Sequence, residues 1–217
     1  MEIVEMVNEL WYSVHMIKPK AYVLYGRSGS GKGTQAKLLV EFLKKEIGDA
    51  GKVHYLETGK MLRAFAVAGD GYSNLLVRDV LENGGLLPEF IPIWVWATFI
   101  FERFTGEEHL VFDGVCRRLL EAPILDSALK FIKIDHPVVI NLDVSNYWAK
   151  EKLLSRGRND DNEDDISNRL QWFDENVAPT IKYFENNPDY NFLAINGEQS
   201  IVEVHSEILK KLGFNDR

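Results

Sequence analysis

Residues 26–35 read GRSGSGKGTQ, after the short apolar run AYVLY at 21–25 and before a helix-like stretch at 36–47. Strand, glycine-rich turn and helix in that order are the setting a phosphate-binding loop needs. Gly26, Gly29, Gly31 and Gly33 let the backbone curl with its N–H groups inward, and the helix that starts near Lys32 turns its positive dipole end to the same point. Lys32 adds a mobile charge able to follow a transferring phosphoryl group, and Thr34 offers a hydroxyl to a neighbouring phosphate oxygen. A glycine turn without a ligand is the competing interpretation. Four glycines and a lysine in this register make it the weaker one, because glycine is only about 7% of average composition. The position after Lys32, Ser or Thr on the magnesium in the generic loop, is Gly33. Any Mg²⁺ must then be held by phosphate oxygens, water and a carboxylate from elsewhere.

Five β-rich runs, at 21–25, 53–57, 109–113, 138–144 and 192–195, alternate with helical patterns. Such alternation predicts an α/β fold: a five-stranded parallel sheet flanked by helices, with the ligand crevice at the carboxyl ends of the strands. The 217 residues suit one domain with small insertions. One cysteine, Cys116, excludes an internal disulfide, and His15, His54, His109, His136 and His205 lack metal-ligand spacing. No direct metal site is expected. A net charge of −8 disfavours nucleic acid and anionic membranes as partners. Residues 1–18 have apolar positions at helical spacing, Ile3, Val7, Leu10, Trp11 and Val14, broken by Glu2, Glu5 and Glu9. They predict an amphipathic helix rather than a secretion signal or membrane span, and the chain is expected to be a cytoplasmic monomer.

Charged residues follow the strands. After the second come Thr58, suited to capping the next helix or to touching a nucleotide, and Arg63, placed to reach a phosphate or to lie in solvent. Gly85, Leu86 and Leu87 lie in a turn able to present backbone to a base edge, and Phe90, Trp94, Trp96, Phe99, Phe101 and Phe104 are expected to pack into the core. The third strand ends in Asp113, where a magnesium-water ligand belongs, followed by Gly114 and by Arg117, whose fork can span two phosphates. Cys116 is expected to be a buried small side chain. Arg156, Arg158 and Arg169 flank or follow Gly157 and the acidic cluster 160–165. On a hinged flap they can close over a triphosphate; on a static surface Arg169 pairs with Asp165.

In order and register this set resembles the adenylate kinase family of nucleoside monophosphate kinases. GRSGSGKGTQ is similar to the family's GxPGxGKGTQ, TGKMLR to TGDMLR, GGLLP to GxLVP, FDGVCRRLLEA to LDGFPRTxxQA, and RGRNDDNEDDISNRL to the short-lid GRxDDxxETIxxRL. The resemblance implies a P-loop kinase fold with a monophosphate-binding segment at 57–87 and a short lid at 155–161. It also implies reversible transfer of the γ-phosphoryl of ATP, as its Mg²⁺ complex, to a nucleoside monophosphate. Gly29, Ser30, Gly31, Lys32, Gly33, Thr34 and Arg156 would then hold ATP. Thr58, Arg63, Gly85, Leu86, Leu87, Gly114, Arg117 and Glu121 would hold the monophosphate, with Arg158 and Arg169 bridging donor and acceptor. Lys32, Asp113, Arg117, Arg158 and Arg169 would form the catalytic set, Asp113 ordering magnesium waters.

Several positions depart from the pattern. Lys152 stands where the family often has an arginine, Lys60 replaces an acid, and Val115–Cys116 replace Phe-Pro. Glu121 replaces the glutamine that reads adenine, and an ionised carboxylate matches the two adjacent donors of guanine better. AMP is the acceptor the family implies, with GMP or UMP/CMP as rivals. A kinase of a non-nucleotide metabolite and a nucleotide-binding module without transfer activity are two further readings.

Overall fold

The computed structural model describes residues 19–156 and 163–214, without the side chains of residues 156, 164 and 165. Five parallel strands, β1 (Ala21–Gly26), β2 (Val53–Glu57), β3 (His109–Asp113), β4 (Val138–Asp143) and β5 (Asn191–Asn196), form one sheet in the order β2-β3-β1-β4-β5. The expected α/β sheet is therefore present, with β1 at its centre between β3 and β4.

The alternation of a strand explains the two-sided core. From β1, Ala21, Val23 and Tyr25 enter one apolar cluster with Leu110 and Phe112 of β3. Tyr22 and Leu24 enter the other, with Val111, Ile140 and Leu142. On the second face lie α1 (Lys32–Ile47) and α9 (Ile201–Lys211), which bury Leu39, Leu43, Val204 and Ile208. The first face is covered by α4 (Phe90–Arg103), α5 (Ala122–Phe131) and α8 (Ala178–Glu185).

Helix α1 begins at Lys32, as expected, with Gly31 in the left-handed conformation as its cap. Gly48, also left-handed, closes it with an N–H bond to the Lys44 carbonyl, and Lys44 and Lys45 face the negative end of the dipole. Helices α2 (Thr58–Val67) and α3 (Tyr72–Glu82) form a hairpin over the sheet's carboxyl edge. Arg78 stitches its turn, donating from Nε and Nη2 to the Ala66 carbonyl at 3.1 and 2.9 Å, while Asn74 Nδ2 donates to the Phe65 carbonyl at 2.7 Å. Helices α6 (Asn146–Arg156) and α7 (Glu163–Trp172) share a smaller cluster of Val144, Ala149, Leu153, Ile166 and Leu170.

Two expectations are corrected. Thr58 does not cap α2: strand β2 runs straight into the helix, Glu57 occupies the cap position with extended backbone, and Thr58 is the first helical residue. Of the six aromatics assigned to the core, Trp96 is buried and Phe99 and Phe104 pack against the core, whereas Phe90, Trp94 and Phe101 are exposed. The latter three lie along one outward stripe of α4, so only part of the helix's aromatic content faces the sheet. Residues 1–18, Arg158 and most of the 155–161 segment lie outside the described residues.

Candidate active site

Parallel strands deliver all their following loops to one edge, and there a cleft of about 580 Å³ opens. Gly29, Gly31, Lys32, Gly33 and Thr34 line it from the glycine loop, Arg63 from α2, and Asp113, Gly114 and Arg117 from the end of β3. Lys152 and Arg169 line it from α6 and α7. These eleven residues come from five segments separated by long stretches of sequence, and the topology brings them together.

The loop's backbone explains its composition. Gly29 has φ +87°, and a Cβ there would lie 2.6 Å from the Ala149 carbonyl oxygen of α6. Only glycine allows the loop this close to its neighbour. The Thr34 and Gln35 amides return to the Gly31 carbonyl at 2.9 and 3.0 Å, so the cap residue closes the first helical turn. Ser30 is placed differently from its loop neighbours. Its N–H donates to the Arg27 carbonyl at 3.1 Å, and its buried hydroxyl lies against Gly26 rather than lining the cleft.

Asp113 is buried at the end of β3 and accepts a hydrogen bond from the Tyr55 hydroxyl at 3.3 Å. A Cβ added to Gly33 would sit 3.2 Å from Asp113 Oδ2. The serine or threonine of the generic loop would therefore crowd this carboxylate. One carboxylate and the exposed Thr34 hydroxyl fit a magnesium ion held mainly by phosphate oxygens and water. Among the described residues no group of three His, Cys, Asp or Glu side chains is arranged to hold a metal by itself.

Arg117 is half-buried, lies beside Gly114 and sits 6.0 Å above the Trp172 ring. Burial pulls its pKa down and Asp113 and Glu121 pull it up, with Arg63 adding repulsion. Arg63 itself is exposed and donates to Glu57 Oε1 at 3.3 Å. The Lys152 ammonium lies 4.6 Å from the Trp148 ring centroid.

Beyond the cleft, and sharing Leu81, Gly85, Gly114 and Arg117 with it, is an inner recess also lined by Thr58, Leu62, Leu86, Leu87, Arg118 and Glu121. It holds about 30 Å³, room for one or two waters. The Gly85 amide is committed to the Val80 carbonyl at 2.9 Å, closing α3 rather than facing a ligand. Glu121 is 1% exposed, its Oε1 accepts from the Arg118 amide at 3.0 Å, and burial is the largest influence raising its pKa from 4.5 to about 7. Cys116 is fully buried, as expected, and burial pushes its thiol up. Its φ of 49° gives the turn a left-handed residue where the family pattern has proline, and the Tyr25 hydroxyl donates to its carbonyl at 3.1 Å.

Residues to which the motif reading gave no role complete the site. Arg27 joins the glycine loop to the far side of the cleft: Nε donates to Asn146 Oδ1 at 2.7 Å, Nη2 to Asp174 Oδ1 at 2.6 Å, and the guanidinium lies 4.7 Å from the Phe173 ring centroid. Trp172, one turn beyond Arg169 on α7, was discoverable from helical spacing. Tyr55 and Asp174 carried no such signal, because their partners are set by strand pairing and by the π-helical turn Phe173–Val177.

The sequence model of the adenylate kinase family matches residues 24–188. An adenylate kinase of Corynebacterium urealyticum is 33% identical over 190 residues, 86% of this chain and 96% of that protein. One of Flavobacterium psychrophilum is 30% identical over 198 residues, 88% of this chain and 98% of its own, and adenylate kinase 1 of a Nostoc species is 30% identical over 191 residues, 88% and 97%. No helix among the described residues is long and apolar enough to cross a membrane. With a family match that spans the phosphate loop, the β3 turn and α7, the chain belongs to the adenylate kinase family of phosphotransferases.

Proposed function

We propose that the cleft brings the γ-phosphoryl of ATP, with Mg²⁺, against the phosphate of a nucleoside monophosphate, AMP being the acceptor named by the family. One observation carries this reading: Lys32, Lys37, Arg63, Arg117, Lys152 and Arg169 line a single cleft with the glycine loop and Asp113, and a small inner recess adjoins it. Six cations around one space suit two polyanionic tails.

In this reading the loop amides and Lys32 hold the donor phosphates, with Gly29 letting the loop approach α6. Thr34 and Asp113, the latter through water, would help hold a magnesium ion, which would supply charge neutralisation on the phosphates. Arg63 and Arg117 hold the acceptor phosphate, with Arg117 and Arg169 aimed at charge that develops during transfer. No side chain is needed as a base, since the acceptor phosphate is already nucleophilic near neutral pH. Arg156 and Arg158 belong to the same proposal as the closing elements of a lid at 155–161 that excludes water. Segment 57–87 is the acceptor's cradle. It must swing outward to admit a base, because the recess as it stands holds only about 30 Å³. Action as a cytoplasmic monomer belongs to the same proposal.

The test is a coupled ADP-formation assay with Mg·ATP and AMP, GMP, CMP or UMP in turn. Acceptor-dependent turnover on a purine monophosphate is expected. Turnover only on a non-nucleotide metabolite, or nucleotide binding without any turnover, would replace this reading with one of its rivals.

A further inference from the structure

Among the described residues, two carboxylates line the cleft beside its cations, Asp113 and Glu57. Asp113 has a use in phosphoryl transfer, toward the magnesium. Glu57 has no part in that chemistry. It is the last residue of β2, paired in register with Asp113 on β3, and its extended backbone leads straight into α2. Its Oε1 accepts from Arg63 Nη2 at 3.3 Å.

The sequence gives the pair a local reason. Where the TGDMLR pattern has its acid this chain has Lys60, one turn ahead of Arg63 on α2. Like charges at that spacing repel, and Glu57 offsets them. Neutralisation of α2 is therefore the plain reading, but the geometry goes further. A carboxylate that buttresses an arginine stands behind it, whereas Glu57 lines the space the acceptor phosphate would enter. The contact is made at one point, between side chains 60% and 29% exposed, and ion pairs of that kind hold weakly. A phosphate can take both prongs of a guanidinium and so displaces the carboxylate. Arg63 is also folded back over the first turn of its own helix, since a Cβ on Gly59 would lie 3.1 Å from its Nη1. From there its charge still opposes that of Arg117. The guanidinium is within electrostatic reach of the other acceptor cation, yet turned to Glu57.

We propose that Glu57 competes with the acceptor phosphate for Arg63: the carboxylate holds the guanidinium to one side, and the monophosphate binds by taking it away. The inference rests on the cleft being the acceptor's phosphate site and names the residue that sets the affinity there. Once Arg63 has turned to the phosphate, Glu57 is left as a negative charge close to a second anion. That repulsion weakens the hold on the monophosphate and on the diphosphate it becomes. Glu57 touches neither nucleotide; it acts through the arginine.

The experiment compares wild type with Glu57→Gln, which keeps the shape and removes the charge, and Glu57→Asp, which keeps the charge, after circular dichroism has checked the fold of each. Calorimetric titration with AMP alone gives Kd, and ADP formation from Mg·ATP and AMP gives kcat and both KM values. Glu57→Gln should bind AMP about fivefold to tenfold more tightly. Its KM for AMP should fall with Kd, while kcat and the KM for ATP change less. Glu57→Asp should stay nearer wild type than Glu57→Gln does. Added salt should weaken AMP binding more steeply in Glu57→Gln, because the phosphate then meets a cation that no carboxylate has neutralised; a purely structural role would not move that slope. An unchanged Kd for AMP in Glu57→Gln overturns the proposal, and so does a raised one, which would make Glu57 a buttress for Arg63. Turnover with an unchanged Kd would leave phosphoryl transfer standing without this role for Glu57. Tighter AMP binding in Glu57→Gln, with no turnover in wild type, would keep the competition and remove the transfer reading.

Discussion

A glutamate with only 1% of its surface exposed ties the stability of the whole chain to a single proton. The folded state raises the Glu121 pKa from 4.5 to about 7, so folding favours the protonated form. The stabilisation this gives is full below the unfolded value and is lost as pH rises through the folded one, amounting to about 3 kcal/mol across the window. Glu108, Glu198, Glu203, Glu207 and Asp189 act in the other direction, each held below its ordinary value and losing its contribution in acid. Urea unfolding of wild type and Glu121→Gln in parallel cancels those terms. The variant should gain on wild type by about 3 kcal/mol between about pH 4.5 and about pH 7, and a difference that stays constant would contradict the buried, raised carboxyl. The placement of Lys32, Asp113, Arg117, Arg169 and Glu121 around one cavity system was legible because each belongs to a short motif that carries its own backbone geometry. Tyr55 against Asp113 was not, since that contact depends on packing between distant segments.

Between elements, Arg27 is the fastening that holds the glycine loop to the segment after β4 and to the turn after α7. Its side chain is only 21% exposed, with Asn146, Asp174, the Val144 carbonyl and the Phe173 ring around the guanidinium. Arg27→Met keeps the apolar stem and removes the donors, leaving Asp174 without its cation. A loss of about 1–3 kcal/mol in unfolding free energy is expected. The KM for ATP should rise about tenfold while that for the monophosphate changes less, because the loop loses its anchor and the acceptor side does not. Equal stability and an unchanged KM for ATP would show that the clamp is idle. Strand positions were readable at this scale from alternation and β-branched content, to within a residue or two. The start of α2 was not: a threonine after a strand looks like a cap, but the strand's last residue already supplied the extended backbone a cap requires. Nor was the outward stripe of Phe90, Trp94 and Phe101, since aromatic content alone does not say which side of a helix meets the sheet.

For the molecule as a whole, the order β2-β3-β1-β4-β5 is what makes a site out of separate motifs. It puts the ends of β1 and β3 side by side, with the glycine loop facing Asp113, and lets α2, α6 and α7 wall the same cleft. The sheet class was legible from the alternation of strands and helices; the strand order was not, because nothing local in a strand names its neighbour. The central claim is that the cations of this cleft neutralise charge as the phosphoryl group passes between two nucleotides. Arg117 tests it most directly, being half-buried over Trp172 and shared by the cleft and the recess. ADP formation from Mg·ATP and the preferred monophosphate, measured for wild type and Arg117→Ala with folding checked by circular dichroism, should fall about a hundredfold or more in kcat for the variant; a folded variant that turns over at the wild-type rate would contradict the account.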